Sequence, residues 1–261
     1  MEFDFKAIFS KVEKSLKAYS NLSDEEFEAI FFEFREKKFQ VRSDDEYFKI
    51  IRDITFYSGF KAETVTNKKQ TIEKHLPTFL QIADYAKPEV DSILSDGNMI
   101  KNPRKIEATI RNAQVFRGLV DQYGSFQKYL ESFNPTLSFE NLILLKEDLE
   151  FRFGYLGGIT SYHFLTDIGL NVLKPDRVLT RIFKRLGLIE DESLLFKTIS
   201  RGREFAAATG HSIRYIDIVF VKYGQQGKDE VLKIKDGVCL ESNPKCHLCG
   251  VRDDCNFADQ S

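Results

Sequence analysis

Long apolar runs are missing from this sequence. None approaches the roughly 20 residues that a membrane-crossing helix needs. The start, Met1-Glu2-Phe3-Asp4-Phe5, carries acids and lacks the basic-then-apolar order of a secretion signal. The expectation is an intracellular protein, in the cytoplasm or on the nucleoid, without a membrane partner. Proline is scarce at six copies, and no alternating apolar stretch is long enough to suggest a sheet. That excludes most β architectures and leaves an all-α chain. Tryptophan is absent, while phenylalanine is abundant at 24 copies. Neither charge prevails: 38 Lys and Arg against 40 Asp and Glu give a net charge of -2. A sum near zero argues weakly against a polyanionic partner, but DNA meets a local face, not the total.

Local faces are present. Between Lys101 and Lys128, six basic residues stand against Glu107 and Asp121; from Lys174 to Arg185, five stand against Asp176. The helical reading is supported by start signals. Ser23-Asp24-Glu25-Glu26 and Ser43-Asp44-Asp45-Glu46 have the hydroxyl and the glutamate three residues later that form a capping box. They predict helices over 24–38 and 44–58. Pro77, Pro88, Pro103, Pro135 and Pro175 each fit near a helix start, where a missing N–H costs nothing. Pro175 opens a run with Val178, Leu179, Ile182, Phe183 and Leu186 on one face, and Gly187 ends it. The glycine pair in Leu156-Gly157-Gly158-Ile159 predicts a tight turn into a helix from Ser161 to about Ile168. Another helix is expected at about 211–223, followed by a flexible connector from Gly224 to Asp229.

All four cysteines, Cys239, Cys246, Cys249 and Cys255, lie within 17 residues, spaced C-x6-C-x2-C-x5-C. A chain that spends every cysteine this way is building a metal site, not disulfides. Four thiolates suit zinc or an iron–sulfur cubane. Zinc sites usually come as two short knuckles, and only Cys246 and Cys249 make such a pair, so the spacing favours a 4Fe–4S cluster with zinc as the alternative. With Asn243-Pro244-Lys245 before the second cysteine, the tail resembles the iron–sulfur loop of endonuclease III and the adenine-specific mismatch glycosylases. Lys245 and Arg252 would project from that loop toward DNA phosphates.

Two helices joined by a glycine turn form a helix-hairpin-helix, whose turn amides can bind a phosphate; Gly157, Gly158, Thr160 and Ser161 occupy that turn. The stretch from Leu173 to Gly187 resembles the segment that follows the hairpin in the helix-hairpin-helix DNA glycosylases. There an aspartate near a helix start is followed five residues later by an arginine, places held here by Asp176 and Arg181. Taken alone, Asp176 is better read as a helix-capping acid. The resemblance implies that Asp176 is catalytic and that Arg181 binds DNA. Breaking an N-glycosidic bond develops positive charge on the sugar, which a fixed carboxylate stabilises while it orients or deprotonates water. Bifunctional members of the superfamily carry a Schiff-base lysine in the hairpin's second helix. Thr160-Ser161-Tyr162-His163 has none, which implies a monofunctional enzyme.

The middle of the chain is similar to another branch of that superfamily, 3-methyladenine DNA glycosylase I. Ile100 to Ala113, Gly124 to Phe133 and Gly158 to Phe164 carry this likeness. That family's terminal cysteine–histidine zinc site has no counterpart, and its pocket glutamate and tryptophan are missing. The corresponding stretch, Asp53 to Phe60, offers aromatics and one displaced acid. Phe56, Tyr57 and Phe60, with Tyr162 and His163, are therefore candidate walls for a flipped base, although core packing explains such rings equally well.

Together the resemblances imply an all-α, two-domain helix-hairpin-helix fold. One six-helix domain would span 46–168; a second would join 1–45 to 169–261 and hold the cluster loop (239–255). The implied activity is release of a damaged base, an alkylated purine, from double-stranded DNA by a monomeric base-excision enzyme, with DNA in the cleft between the domains. A bifunctional glycosylase/lyase, a non-catalytic binder of damaged DNA and a zinc-stapled interaction protein remain as alternatives.

Overall fold

The computed structural model describes residues 3–35 and 39–258. In chain order the helices are α1 (Phe5–Tyr19), α2 (Asp24–Arg35), α3 (Asp44–Tyr57), α4 (Ala62–Thr66), α5 (Lys69–His75), α6 (Phe79–Ile82) and α7 (Lys87–Ser95). They continue with α8 (Pro103–Tyr123), α9 (Phe126–Ser132), α10 (Phe139–Arg152), α11 (Ile159–Asp167), α12 (Arg177–Arg185), α13 (Leu195–Thr209) and α14 (Ile213–Gly224). The described residues contain no strand, only an isolated bridge between Asp229 and Ile234. None of their helices is long and apolar enough to cross a membrane. The chain divides into two compact units, Phe39–Leu170 and Met1–Lys38 with Asn171–Ser261.

The first unit is built round α8. Lys105, Thr109 and Asn112 follow one another along α8 and are buried, an unusual polar seam inside a helix packed against α3, α6, α7 and α9. Apolar packing comes from rings: Phe116 stacks on Phe126 with centroids 4.2 Å apart, and Phe48, Phe79 and Tyr129 close round them. Both expected capping boxes form. Ser43 accepts from Glu46 N–H while Glu46 accepts from Ser43 N–H, and Ser23 and Glu26 exchange the same pair at α2 in the other unit. The α2 expectation ran to residue 38, and 36–38 lie outside the described residues. Pro88 and Pro103 sit in the first turns of α7 and α8. Pro77, Pro135 and Pro175 instead lie in the chain leading into α6, α10 and α12.

In the second unit α14 packs against α1, α2, α12 and α13. Phe9, Phe183, Phe205 and Phe220 form its core, with edge-on centroid separations of 5.1 Å and 5.2 Å between Phe220 and Phe205 or Phe183. Two phenylalanine clusters thus do the packing in a chain without tryptophan. Truncating a ring in either to alanine costs roughly 3–5 kcal/mol. Helix α12 ends as read: Gly187 takes φ +70°, its N–H bonds Lys184 O, and Leu188 N–H bonds Phe183 O, closing a Schellman motif.

The expected flexible connector after α14 is instead tied down. Asp229 is buried; its Oδ1 accepts from Val231 and Leu232 N–H at 3.0 Å each, and its Oδ2 pairs with Lys222 and Gln225. Glycine and glutamine suggested mobility, but one aspartate four residues later gathers the loop's donors. That gathering is invisible to composition.

Candidate active site

Helix α10 starts on Ser138, whose hydroxyl accepts from Asn141 N–H, and buries Leu142, Leu145 and Leu149. It stops at Phe153, and the chain turns through Tyr155 at φ +66°, a conformation strained for a residue with a Cβ. Gly158 then caps α11 at φ +56°, ψ -116°, a combination that needs glycine. The turn is held from both sides. Asn112 on α8 pairs its amide with both backbone groups of Gly154, at 2.8 and 2.9 Å. Leu156 is fully buried. Thr160 Oγ1 donates to Tyr155 O and Gly157 O, and Ser161 Oγ donates to Gly158 O.

The hairpin thus forms at the expected glycines, but its anion place already has an occupant. Gly158 N–H donates to Glu150 Oε1 at 2.9 Å, and the other Glu150 oxygen pairs with Lys146. Burial pulls the Glu150 carboxyl upward; Lys146 and the Gly158 amide outweigh it and hold it below the usual range. An intramolecular carboxylate stands where the sequence suggested a phosphate.

The five candidate pocket residues do not form one wall. Phe56 is fully buried in α3 and belongs to the core, which corrects its expected place in a pocket. Tyr57 Oη meets Thr66 Oγ1 at 3.0 Å. Tyr162 is buried with Lys146 Nζ 5.5 Å from its ring, and His163 pairs with Asp167 one turn along α11 at 3.2 Å. Phe60 remains partly exposed, and it faces a residue the sequence reading passed over. Lys105 is buried with its Nζ 5.3 Å from the Phe60 ring and 4.4 Å from the Tyr155 ring, donating to Thr55 O and Ser58 O at the end of α3. Burial pushes this ammonium down to about 8. A lysine in a basic stretch gave no sign that it would turn inward.

In the other unit Asp176 is the N-cap of α12. Its Oδ1 accepts from Val178 and Leu179 N–H at 3.0 and 3.2 Å, where the helix dipole favours negative charge. Among the described residues its Oδ2 has no hydrogen bond. One oxygen therefore serves the helix and one is uncommitted, so capping and chemistry are compatible roles. Behind it lies Asp217 on α14, which accepts from Lys174 N–H at 3.3 Å and pairs with Arg214. Asp217 is 1% exposed, and burial, with the nearby Asp176 charge adding to it, pushes its carboxyl up to about 6.

Arg181 points the other way along α12. It is 8% exposed, and its guanidinium donates to Gly224 O at 2.7 Å and Cys239 O at 3.1 Å. Its expected DNA contact is corrected by this burial: the side chain braces the cysteine loop. Arg185 does the same, donating to Leu240 O and Glu241 O and approaching Cys239 Sγ at 3.3 Å. Tyr223 Oη donates to Cys249 Sγ at 3.1 Å. Burial raises the Cys239 and Cys249 thiols above their ordinary range. Gly250 passes so close to α1 that a Cβ there would lie 2.8 Å from Lys11 O, and its N–H donates to Ser15 Oγ. Lys245 Nζ pairs with Asp236 and Gly237 O and sits 4.8 Å from the Tyr19 ring, while Arg252 is exposed.

All four cysteines line one pocket, together with Arg185, Arg252 and Phe257. Yet among the described residues no three His, Cys, Asp or Glu side chains gather tightly enough to hold a single metal ion.

Residues 25–172 match the methyladenine glycosylase family, more than half of the chain. Among solved structures, the 8-oxoguanine DNA glycosylase of Thermotoga maritima matches with a TM-score of 0.53 and 17% identity, over 81% of this chain and 95% of that one. The 8-oxoguanine glycosylase/lyase of Methanocaldococcus jannaschii, solved in complex with DNA containing 8-oxoguanine, matches with a TM-score of 0.52 and 18% identity, over 80% and 94%. A 3-methyladenine DNA glycosylase I from Staphylococcus aureus matches at 21% identity and a TM-score of 0.45, over 57% of this chain and 88% of that one. At these identities the first two likenesses concern the fold, which is that of the helix-hairpin-helix glycosylases. The chain belongs to the methyladenine glycosylase family, and with it to the DNA N-glycosylases of base-excision repair.

Proposed function

We propose that this glycosylase is monofunctional, that it hydrolyses the bond to an alkylated purine in double-stranded DNA, and that Asp176 carries the chemistry. The observation behind the reading is the division of labour at Asp176: Oδ1 is held by two backbone amides, which orients Oδ2 without consuming it. A carboxylate so fixed stabilises the oxocarbenium-like charge on the sugar and orients the attacking water. Helix α11 contains no lysine for a Schiff base. Lys146, on the preceding helix, is committed to Glu147 and Glu150.

The four cysteines are proposed to hold a 4Fe–4S cluster. The reading rests on the cysteine spacing, in which only Cys246 and Cys249 make a zinc-like knuckle, and on the four thiols lining one pocket without a carboxylate among its lining residues, a donor set that suits a cubane. When bound, the group supplies a structural staple for a loop with little core of its own. Arg181, Arg185 and Tyr223 hold the loop's carbonyls and two of its sulfurs.

The test is a base-release screen over duplexes carrying alkylated, oxidised and deaminated bases, run with wild type and Asp176→Asn. Release of an alkylated purine by wild type alone is expected. Equal release by both proteins would remove Asp176 from the mechanism. Borohydride trapping on abasic DNA should give no covalent adduct, and a strong adduct would overturn the monofunctional reading. Anaerobically purified protein should be brown; a colourless zinc-loaded protein would replace the cluster with zinc.

A further inference from the structure

Helix α12 carries more positive charge than its neighbours use. Arg177, Arg181 and Arg185 recur every four residues with Lys184 beside them, and all four line one pocket of about 400 Å³ between α12 and the cysteine loop. Like charges at that spacing repel. Two of the four are partly accounted for, since Arg181 and Arg185 donate to carbonyls of the loop. Even so, Arg181 Nε is buried without a hydrogen-bond partner, although the residue is more than nine-tenths buried. Arg177 has no hydrogen bond or ion pair among the described residues, and Lys184 has only Asp191 at 3.8 Å. Two exposed acids, Glu192 and Glu241, share the rim. With Asp191 counted beside Lys184, four cations stand against three acids, a local charge of +1 in a chain whose total is -2.

We propose that this pocket is a phosphate site, with Arg177 and Lys184 as its ligands and the buried Arg181 and Arg185 as a fixed positive floor. Arginine and lysine donors round a concave surface match the tetrahedral, anionic phosphate group, with its several acceptor oxygens. Arg177 follows Asp176 directly in the chain, so the first turn of α12 supplies both the carboxylate assigned to the chemistry and one ligand of the site. A phosphodiester of the DNA strand is one source of that group, and free inorganic phosphate is the other. The role in DNA binding rests on the glycosylase reading; the phosphate site itself does not.

The experiment uses full-length protein: wild type, Arg177→Gln, Lys184→Gln, the double variant and Asp176→Asn. Both targeted side chains are exposed, so circular dichroism should report an unchanged fold. Binding of a fluorescent duplex with a non-hydrolysable abasic analogue is followed by anisotropy over a range of potassium chloride. Each phosphate contact contributes about 0.9 to the slope of log affinity against log salt. The double variant should therefore lose up to about 1.8 of slope and about tenfold in low-salt affinity, while Asp176→Asn keeps the wild-type slope. In a second arm, inorganic phosphate is compared with chloride at equal ionic strength for its effect on the melting temperature. An unchanged DNA slope, with phosphate stabilising wild type but not the double variant, assigns the site to free phosphate. An unchanged slope with no selective stabilisation overturns the proposal. If wild type releases no base and binds no DNA, yet phosphate still stabilises it selectively, the phosphate site stands and the glycosylase reading falls.

Discussion

Helices α11 and α12 are both nine residues long, and each has to satisfy the bare N–H groups at its start. They do so in opposite ways. Helix α11 begins on a glycine with no side chain to offer, and its N-terminal turn takes a carboxylate from eight residues upstream, Glu150. Helix α12 begins on its own carboxylate, Asp176, which spends one oxygen on the cap. A borrowed anion can be exchanged for another, while a built-in one cannot leave. The first arrangement suits a place where phosphate comes and goes; the second suits a group that must keep one orientation.

The sharpest way to break this contrast is Asp176→Asn. Asparagine caps helices about as well as aspartate, so the melting temperature should hardly move. Base release should fall by about 10²–10⁴. A large loss of stability instead would mean that Asp176 is mainly structural.

On the hairpin side, Asn112→Ala removes the amide that pairs with both backbone groups of Gly154. A cost of about 1–3 kcal/mol is expected from the unsatisfied buried groups, measured by urea unfolding. A change within 0.5 kcal/mol would show that the turn holds itself.

Asp217 separates the two helix starts by pH. Its folded carboxyl lies near 6, above its ordinary 3.8, so the folded state binds the proton more tightly than the unfolded chain does. The ionised group therefore opposes folding above pH 6, and that opposition fades as pH falls toward 4. Wild type should gain stability relative to Asp217→Asn on acidification from pH 7 to 4, by at most about 3 kcal/mol. A difference between the two proteins that is flat in pH would place Asp217 as a permanently charged partner of Arg214.

The smallest effect is expected for Glu150→Gln. It keeps an acceptor for Gly158 N–H but removes the charge paired with Lys146. A stability loss of about 1 kcal/mol is expected, along with tighter DNA binding if phosphate competes for the same amide. Weaker binding would make Glu150 a support for the turn with no exchange role.

What could be read from the sequence was local. Ser23, Ser43, Gly187 and Asp176 announce helix ends through hydrogen bonds that span two to five residues, and all four do stand at helix ends. The cysteine spacing marks the tail in the same short-range way, and the four thiols do share a pocket. What could not be read depends on distant partners. Arg181 looks like any exposed arginine until Gly224 and Cys239 arrive 43 and 58 residues later. Lys105 is drawn inward by carbonyls at Thr55 and Ser58, and Phe56 is taken up by the core. The base pocket was least legible because aromatic residues serve cores and binding walls equally well.

The two ring-packed cores also set how the molecule responds to light. With no tryptophan, its ultraviolet emission comes from ten tyrosines. Three of them are buried with hydroxyls donating to acceptors that quench: Tyr129 to Asp148, Tyr215 to Glu13 and Tyr223 to Cys249. Those three should be dim in the native protein and should brighten on unfolding. With no tryptophan in the chain, a fluorescent base analogue excited beyond the tyrosine band reports events on the DNA free of protein emission.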